Sequence, residues 1–125
     1  MQLDRFSPPV LIRLLTLASA LVFTGLAHAD DYSDVNQLLK SGKGTEALAK
    51  ADKYLADKPK DPQMRFLKGV IQTQAGNTTE AIATFTALTQ DYPELPEPYN
   101  NLAALLASQN QLDKARTALE MAIRI

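Results

Sequence analysis

The chain has no cysteine, no tryptophan and one histidine, and 13 Lys and Arg nearly cancel 14 Asp and Glu across its 125 residues. Without thiols there are no disulfides, thiolate zinc sites, iron–sulfur ligands or sulfur-linked lipids, so packing alone must hold the fold together. A net charge of −1 offers no basic field to a phosphate backbone, and no run of one sign marks a charged tail. No nucleic acid partner is expected. What the chain does have is 46% hydrophobic residues, enough for one small core.

Part of that apolar content belongs to an expected leader. Met1 to Ala29 carry Arg5 and Arg13, then the apolar run Leu14–Leu26, then Ala27-His28-Ala29 ahead of Asp30 and Asp31. This is the three-part pattern of a secretory signal peptide, with cleavage expected after Ala29. The run is too short for the ~20 residues that cross a bilayer, which favours a cleaved signal. The alternative is an uncleaved inner-membrane anchor over residues 10–29, with Arg13 snorkelling to the interface. The expected location is the periplasm of a Gram-negative bacterium, or outside the cell, with no integral span after cleavage.

Removing residues 1–29 from 125 leaves 96, and Asp4, Arg5, Arg13 and His28 go with the leader, so 11 basic and 13 acidic residues remain and no histidine. Imidazole base, nucleophile or ligand chemistry is then unavailable to this part of the chain acting alone. No serine sits in an elbow motif, and nothing in the sequence sets one carboxyl apart from another as a glycosidase pair requires. No enzymatic activity, cofactor or metal is expected. Asp30, Asp31 and Asp34 lack the spacing and glycine of a calcium loop. Lys53, Lys58 and Lys60 form a loose basic patch that reads as a solvated face, with weak contact to an anionic lipid or polymer as the other option.

A period of 34 residues organises the remainder. Gly42, Gly76 and Asn110 are spaced by it, as are Ala47, Ala81 and Ala115, Pro59 and Pro93, Pro62 and Pro96, and the small pair Gly69 and Ala103. Each column has a physical role. Gly and Asn tolerate the left-handed conformation that ends a helix. Pro59 and Pro93 follow helices that they cannot continue, whereas Pro62 and Pro96 suit a first turn, with Asp61 as an N-cap. Small residues let antiparallel helices approach.

The spacing predicts helices over Tyr32–Lys40, Thr45–Ala56, Met64–Gln74, Thr78–Thr89, Glu97–Gln109 and Leu112–Arg124, with helical apolar spacing at Phe66, Leu67, Val70 and Ile71 and at Leu102, Leu105 and Leu106. Strand periodicity is absent. Asn77-Thr78-Thr79-Glu80 reads as a capping box.

On these residues the chain resembles the tetratricopeptide repeat of exported bacterial proteins: the period, the helix–turn–helix unit, the Ala early in each second helix and the Pro at the end. The repeat at 96–125 matches through Tyr99, Leu102, Ala103, Leu106, Ala115, Leu119 and Ala122. That at 62–95 matches through Gly69, Gly76, Ala81, Phe85 and Pro93, but has Lys68 for the usual Leu and Leu88 for a small residue. The degenerate repeat at 30–61 has Val35 at the small site, and Ala51 and Tyr54 with large and small exchanged, so its first helix is expected to be short or frayed.

The resemblance implies an all-α solenoid of about three antiparallel helix pairs, whose first helices line a groove for a partner's peptide or helix. Groove positions are Gln63, Phe66, Leu67, Val70 and Gln74, then Glu97, Asn100, Asn101 and Ala104. Gly69, Ala103, Ala47, Ala81, Ala115 and Ala122 are the repeat-packing positions. Phe66 reads either as core or as a groove anchor. Asn100 and Asn101 suit recognition of a peptide backbone, or else one bridges repeats and the other is solvated. No Lys or Arg occupies these positions, which disfavours capture of a carboxylate. Pro93-Glu94-Leu95-Pro96-Glu97-Pro98 reads as a stiff link that sets the angle between repeats.

No capping helix is expected after Ile125, so Leu105, Met121, Ile123 and Ile125 would form an apolar edge open to self-association or to a partner helix. The expected function is a non-catalytic adaptor in envelope or cell-wall assembly. The alternative is a truncated regulatory or targeting segment of a cell-wall-processing enzyme.

Overall fold

A computed structural model describes residues 27–125, and side chains from 31 onward; residues 1–26, with the basic and apolar parts of the expected leader, lie outside the described residues. Six α-helices follow in order: α1 Ala27–Lys40, α2 Gly44–Asp57, α3 Pro62–Gln74, α4 Thr78–Asp91, α5 Pro96–Ser108 and α6 Leu112–Arg124. No strand occurs among the described residues. The chain divides after Asp31, and the packing below concerns the unit Tyr32–Ile125.

Each turn within a helix pair is built in the same way. Gly42, Gly76 and Asn110 have φ of 74°, 78° and 59°, the left-handed conformation that closes a helix. Gly76 donates to the Thr73 carbonyl at 3.1 Å and Asn77 to the Gln72 carbonyl at 2.9 Å. The same two bonds recur as Gly42 to Leu39 and Lys43 to Leu38, and as Asn110 to Ala107 and Gln111 to Leu106. These are Schellman closures. The residue that completes each one also opens the next helix, because the carbonyls of Lys43, Asn77 and Gln111 accept from Ala47, Ala81 and Ala115 at 3.0 Å.

That double use corrects the expected capping box. Asn77 is the N-cap of α4, but its side chain makes no cap hydrogen bond and its φ and ψ are −83° and 68°. Its backbone N–H is spent on Gln72, so nothing remains for Glu80 to reach back to. Asp61, free of a preceding turn of this kind, does cap α3: its backbone is extended and its Oδ2 accepts from the Met64 N–H at 2.9 Å, with Pro62 in the first turn. α1 is also not short. It starts at Ala27, because no glycine or proline lies between Ala27 and Tyr32 to stop the helix growing back.

Two clusters form the core. Val35, Ala47, Ala51, Met64, Leu67 and Ile71 fill the space among α1, α2 and α3. Ala81, Phe85, Leu102, Leu105, Leu106 and Ala115 fill that among α4, α5 and α6. Between them, the Phe85 ring lies on the backbone of α3 at Gly69, where an added Cβ would fall 2.5 Å from the ring Cζ. Thirty-four residues earlier the corresponding positions are Val35 and Ala51, both fully buried in the first core cluster. One register pairs no side chain with a large ring, the other a medium side chain with a methyl, so the reversed sizes at 35 and 51 are compensation and not decay.

Polar contacts tie the first pair to the second. Tyr32 donates to Asp61 Oδ1 at 2.8 Å and, its one proton being committed, accepts from Tyr54 at 3.0 Å. Burial, then the bonds to Tyr54 and Asp61, push the Tyr32 phenol well above its usual range. Lys68, which replaces the family's apolar residue, pairs with Asp52 of α2 at 2.8 Å. Asp91 at the end of α4 receives Lys60 at 3.0 Å and Arg65 at 2.8 Å, which hold its carboxyl below the ordinary 3.8.

Gly69→Val alone should destabilise the protein by about 1–3 kcal/mol through overpacking, and Phe85→Ala alone by about 3–5 kcal/mol. The double variant, which transplants the Val35 and Ala51 pair, should cost less than the sum; urea melts in a double-mutant cycle measure the difference. A folded-state pKa below 3.8 means that the Asp91 contacts stabilise above that pH and lose their effect as pH falls through the lowered value. Asp91→Asn should therefore show its deficit at neutral pH and converge on the parent in acid melts.

Candidate functional site

α3 and α5 begin in the same way. Asp61 and Leu95 are both extended N-caps, at ψ of 114° and 119°, and each is followed by proline at the first helical position. Proline forces that extended geometry on the residue before it. Repeating it in consecutive repeats places the first turns of α3 and α5 beside one cleft. Pro62, Gln63 and Phe66 line it from α3, Glu97 and Pro98 from α5, Leu95 from the link and Leu88 from α4, around a volume of about 310 Å³. That is at the lower end for ligand clefts and suited to a side chain.

The lining is apolar apart from Gln63 and Glu97. Phe66 is half-buried: its ring meets Phe85 edge-on at a centroid distance of 5.6 Å while also facing the cleft. Core residue and cleft wall are thus one role for Phe66. Leu88 is fully buried, so the large residue at a small-residue position supplies the floor.

Of the other residues assigned to a groove from the sequence, Gln74, Asn100 and Ala104 are exposed and Val70 is half-buried against the second core cluster. Asn101 turns its amide back to the Glu97 carbonyl at 2.9 Å and bridges no repeats. Leu67 is corrected: at 8% exposure it packs in the first core cluster. Its position next to Phe66 turns it about 100° around α3, towards Met64 and Ile71 and the preceding repeat. Among the packing positions, Gly69, Ala47, Ala81, Ala103 and Ala115 are buried and Ala122 is half-buried.

Pro62, Leu88, Leu95 and Pro98 were not among the groove positions. The signal for Leu95 and Pro98 lay in the segment assigned to a stiff link, and for Leu88 in its departure from the family pattern. A second cleft of about 390 Å³ lies between α4 and the turn from α5 to α6, with Ile82, Leu102 and Leu106 in its lining and Lys114 as its one charged residue.

Asp34 pairs with Lys50 at 2.7 Å, and among the described residues no group of three or more His, Cys, Asp or Glu is placed to hold a metal. Lys60 of the basic patch is taken by Asp91, and Lys58 stands 5.3 Å over the Tyr54 ring. No helix among the described residues is long and apolar enough to cross a membrane.

Leu88→Ala should deepen the cleft and cost about 2–5 kcal/mol, and uptake of a small apolar probe such as benzene, followed by NMR shifts of the Leu95 methyls, should rise with it.

Two family models, both described as tetratricopeptide repeat, match residues 32–96 and 72–125. A curated relative from Pseudomonas putida, named "Probable biofilm formation methyltransferase WspC", is 29% identical over 90 residues, which are 72% of this chain and 21% of that protein. The chain therefore spans about a fifth of that relative. Among solved structures, the type III secretion translocator chaperone SycD of Yersinia enterocolitica superposes with a TM-score of 0.71 at 19% identity, over 75% of this chain and 71% of its own. YrrB, described as a tetratricopeptide repeat protein with an unusual peptide-binding site, gives 0.69 at 24% identity over 75% and 48%. MamA of Desulfovibrio magneticus gives 0.69 at 20% over 74% and 53%. Likeness at these identities is likeness of fold. Since the first model alone spans just over half of the chain, with the helix pairs and left-handed turns described above, the protein belongs to the tetratricopeptide repeat family.

Proposed function

We propose that the chain is a protein-interaction adaptor of the bacterial periplasm, acting without catalysis in envelope or cell-wall assembly. It holds an extended partner segment across the first turns of α3 and α5. The observation that carries this is the apolar cleft closed by Phe66, Leu88, Leu95 and Pro98 with Glu97 at its rim. An apolar side chain fills the cleft while a neighbouring Lys or Arg of the partner meets Glu97, and Gln63 and Asn100 are available to the partner's backbone. Support for the location comes from the leader pattern of residues 1–29, and support for the absence of catalysis from a chain whose one histidine, His28, falls within it.

A titration with short peptides carrying an apolar residue beside a Lys tests the site. Glu97→Lys should weaken binding about tenfold, equivalent to ~1.4 kcal/mol, and leave the helical circular dichroism unchanged; equal affinity for both would dismiss the cleft as the site. Location is tested by fractionation and N-terminal sequencing. A periplasmic product beginning at Asp30 is expected, and one beginning at Met1 in the membrane fraction would support the anchor instead.

The second reading is a regulatory or targeting segment of a cell-wall-processing enzyme; one observation favours its coarser part, a segment of a longer enzyme, since the 90 matched residues are 21% of a protein named as a methyltransferase. Reading the gene past the codon for Ile125 separates the two, since a catalytic domain in the same frame supports the second.

A further inference from the structure

The repeat supplies an internal reference for the cleft between α3 and α5. Phe66, Leu88, Leu95 and Pro98, which line it, stand 34 residues after Tyr32, Tyr54, Asp61 and Met64. In that earlier seam the place is occupied from within. The Tyr32 and Tyr54 rings meet at a centroid distance of 5.5 Å, tilted by 50°, and both pack on the first core cluster. Tyr32 donates to Asp61 at 2.8 Å and accepts from Tyr54 at 3.0 Å. One repeat later both hydroxyls, the carboxylate and one of the rings are absent: Phe66 keeps a ring, Leu88 has none, and Leu95 replaces the acid. There the cleft of about 310 Å³ opens. All of its lining lies between Pro62 and Pro98, inside the array.

We infer that the residue taken into this cleft is a phenylalanine of the partner segment, next to a Lys or Arg, and that Leu95 sets a preference against tyrosine. The inference rests on the cleft being the binding site proposed above. A guest ring takes against Phe66 the place that Tyr54 takes against Tyr32, and so completes a ring pair that Leu88 does not supply. A guest hydroxyl has no such counterpart. Phe66, Leu88, Leu95 and Pro98 carry no polar side-chain atom, and a phenol buried among them forfeits the hydrogen bonds that Tyr32 and Tyr54 make one repeat earlier. Asp61 also caps α3 through the Met64 N–H, a bond that an acid at position 95 could not copy, because Pro98 has no N–H. Leucine at 95 therefore sacrifices no cap of that kind. Glu97 is the one charged residue of the lining and makes no ion pair among the described residues, which selects a basic neighbour of the guest over an acidic one.

Three short peptides that differ only in the residue beside a constant Lys, namely Phe, Tyr or Leu, are titrated into the full chain. The Phe peptide should bind about tenfold more tightly than the Tyr peptide, the scale of one buried hydroxyl left without a partner, and about threefold more tightly than the Leu peptide. Leu95→Asp gives a guest hydroxyl the acceptor that Asp61 gives Tyr32, and should move the Phe-to-Tyr ratio of affinities about tenfold towards Tyr. Attraction of the common Lys to the added charge cancels in that ratio. If Leu95→Asp loses helical circular dichroism, Leu95→Asn replaces it with the same shift expected. Tyr or Leu binding as tightly as Phe, or a ratio unmoved by the folded variant, would overturn the inference and leave the cleft standing, so long as Glu97→Lys weakens all three peptides. No binding of any peptide, or binding indifferent to Glu97→Lys, overturns the cleft itself and the preference with it.

Discussion

The contact on which the array depends is the Phe85 ring against bare backbone at Gly69. It sets how closely α4 approaches α3, and it turns the other edge of the pair outward, so that Phe66 meets Phe85 at 63° and still forms a wall of the cleft. Packing and recognition share these atoms. A ring that close to a helix backbone leaves no room for a methyl, and at the corresponding positions of the first pair the larger side chain is that of Val35. The repeats therefore conserve the sum of two side-chain volumes and not the identity of either.

Polar residues serve a different end. Lys68 and Asp52 face each other across the seam between the first and second pairs, whereas Asp91 binds Arg65 within the second pair and Lys60 of the preceding link; such ion pairs add little stability but penalise a misaligned stack. The Tyr54–Tyr32–Asp61 chain has more at stake, because Asp61 also caps α3. The carboxylate links α1 to α3, and Tyr54 brings in α2 through Tyr32, so the degenerate first pair is tied to the second by polar contacts.

Helix ends were legible in the sequence because they are decided locally: a positive φ at Gly42, Gly76 and Asn110, a proline at 62 and 96, and a cap at Asp61 need no knowledge of the distant chain. What was illegible depended on neighbours. The side chain of Asn77 has the right chemistry for a cap, but its backbone N–H had been claimed by the preceding helix. Leu67 and Phe66 are adjacent and equally apolar, and only the stacking of α3 on the first pair sends one inward and leaves the other at the cleft. Pro98 and Leu95 looked like stiffening and became lining, since a link between repeats is also the rim of whatever lies between them. The full-length α1 was missed for the opposite reason: degeneracy at 35, 51 and 54 looked like weakness when taken one residue at a time.

The turns within pairs, where Lys43, Asn77 and Gln111 close one helix with the N–H and open the next with the carbonyl, have a geometric consequence. With no spare residue between two such bonds, the rotational phase of one helix is handed to the next as though the pair were a single bent rod. Adding one residue there would swing the second helix by about 100° and send its alanine face away from its partner. The links between pairs, at 58–61 and 92–95, contain no shared residue of this kind. Variation in length is tolerable there, and the spacing of clefts along the array can change while the interior of every pair stays as it is.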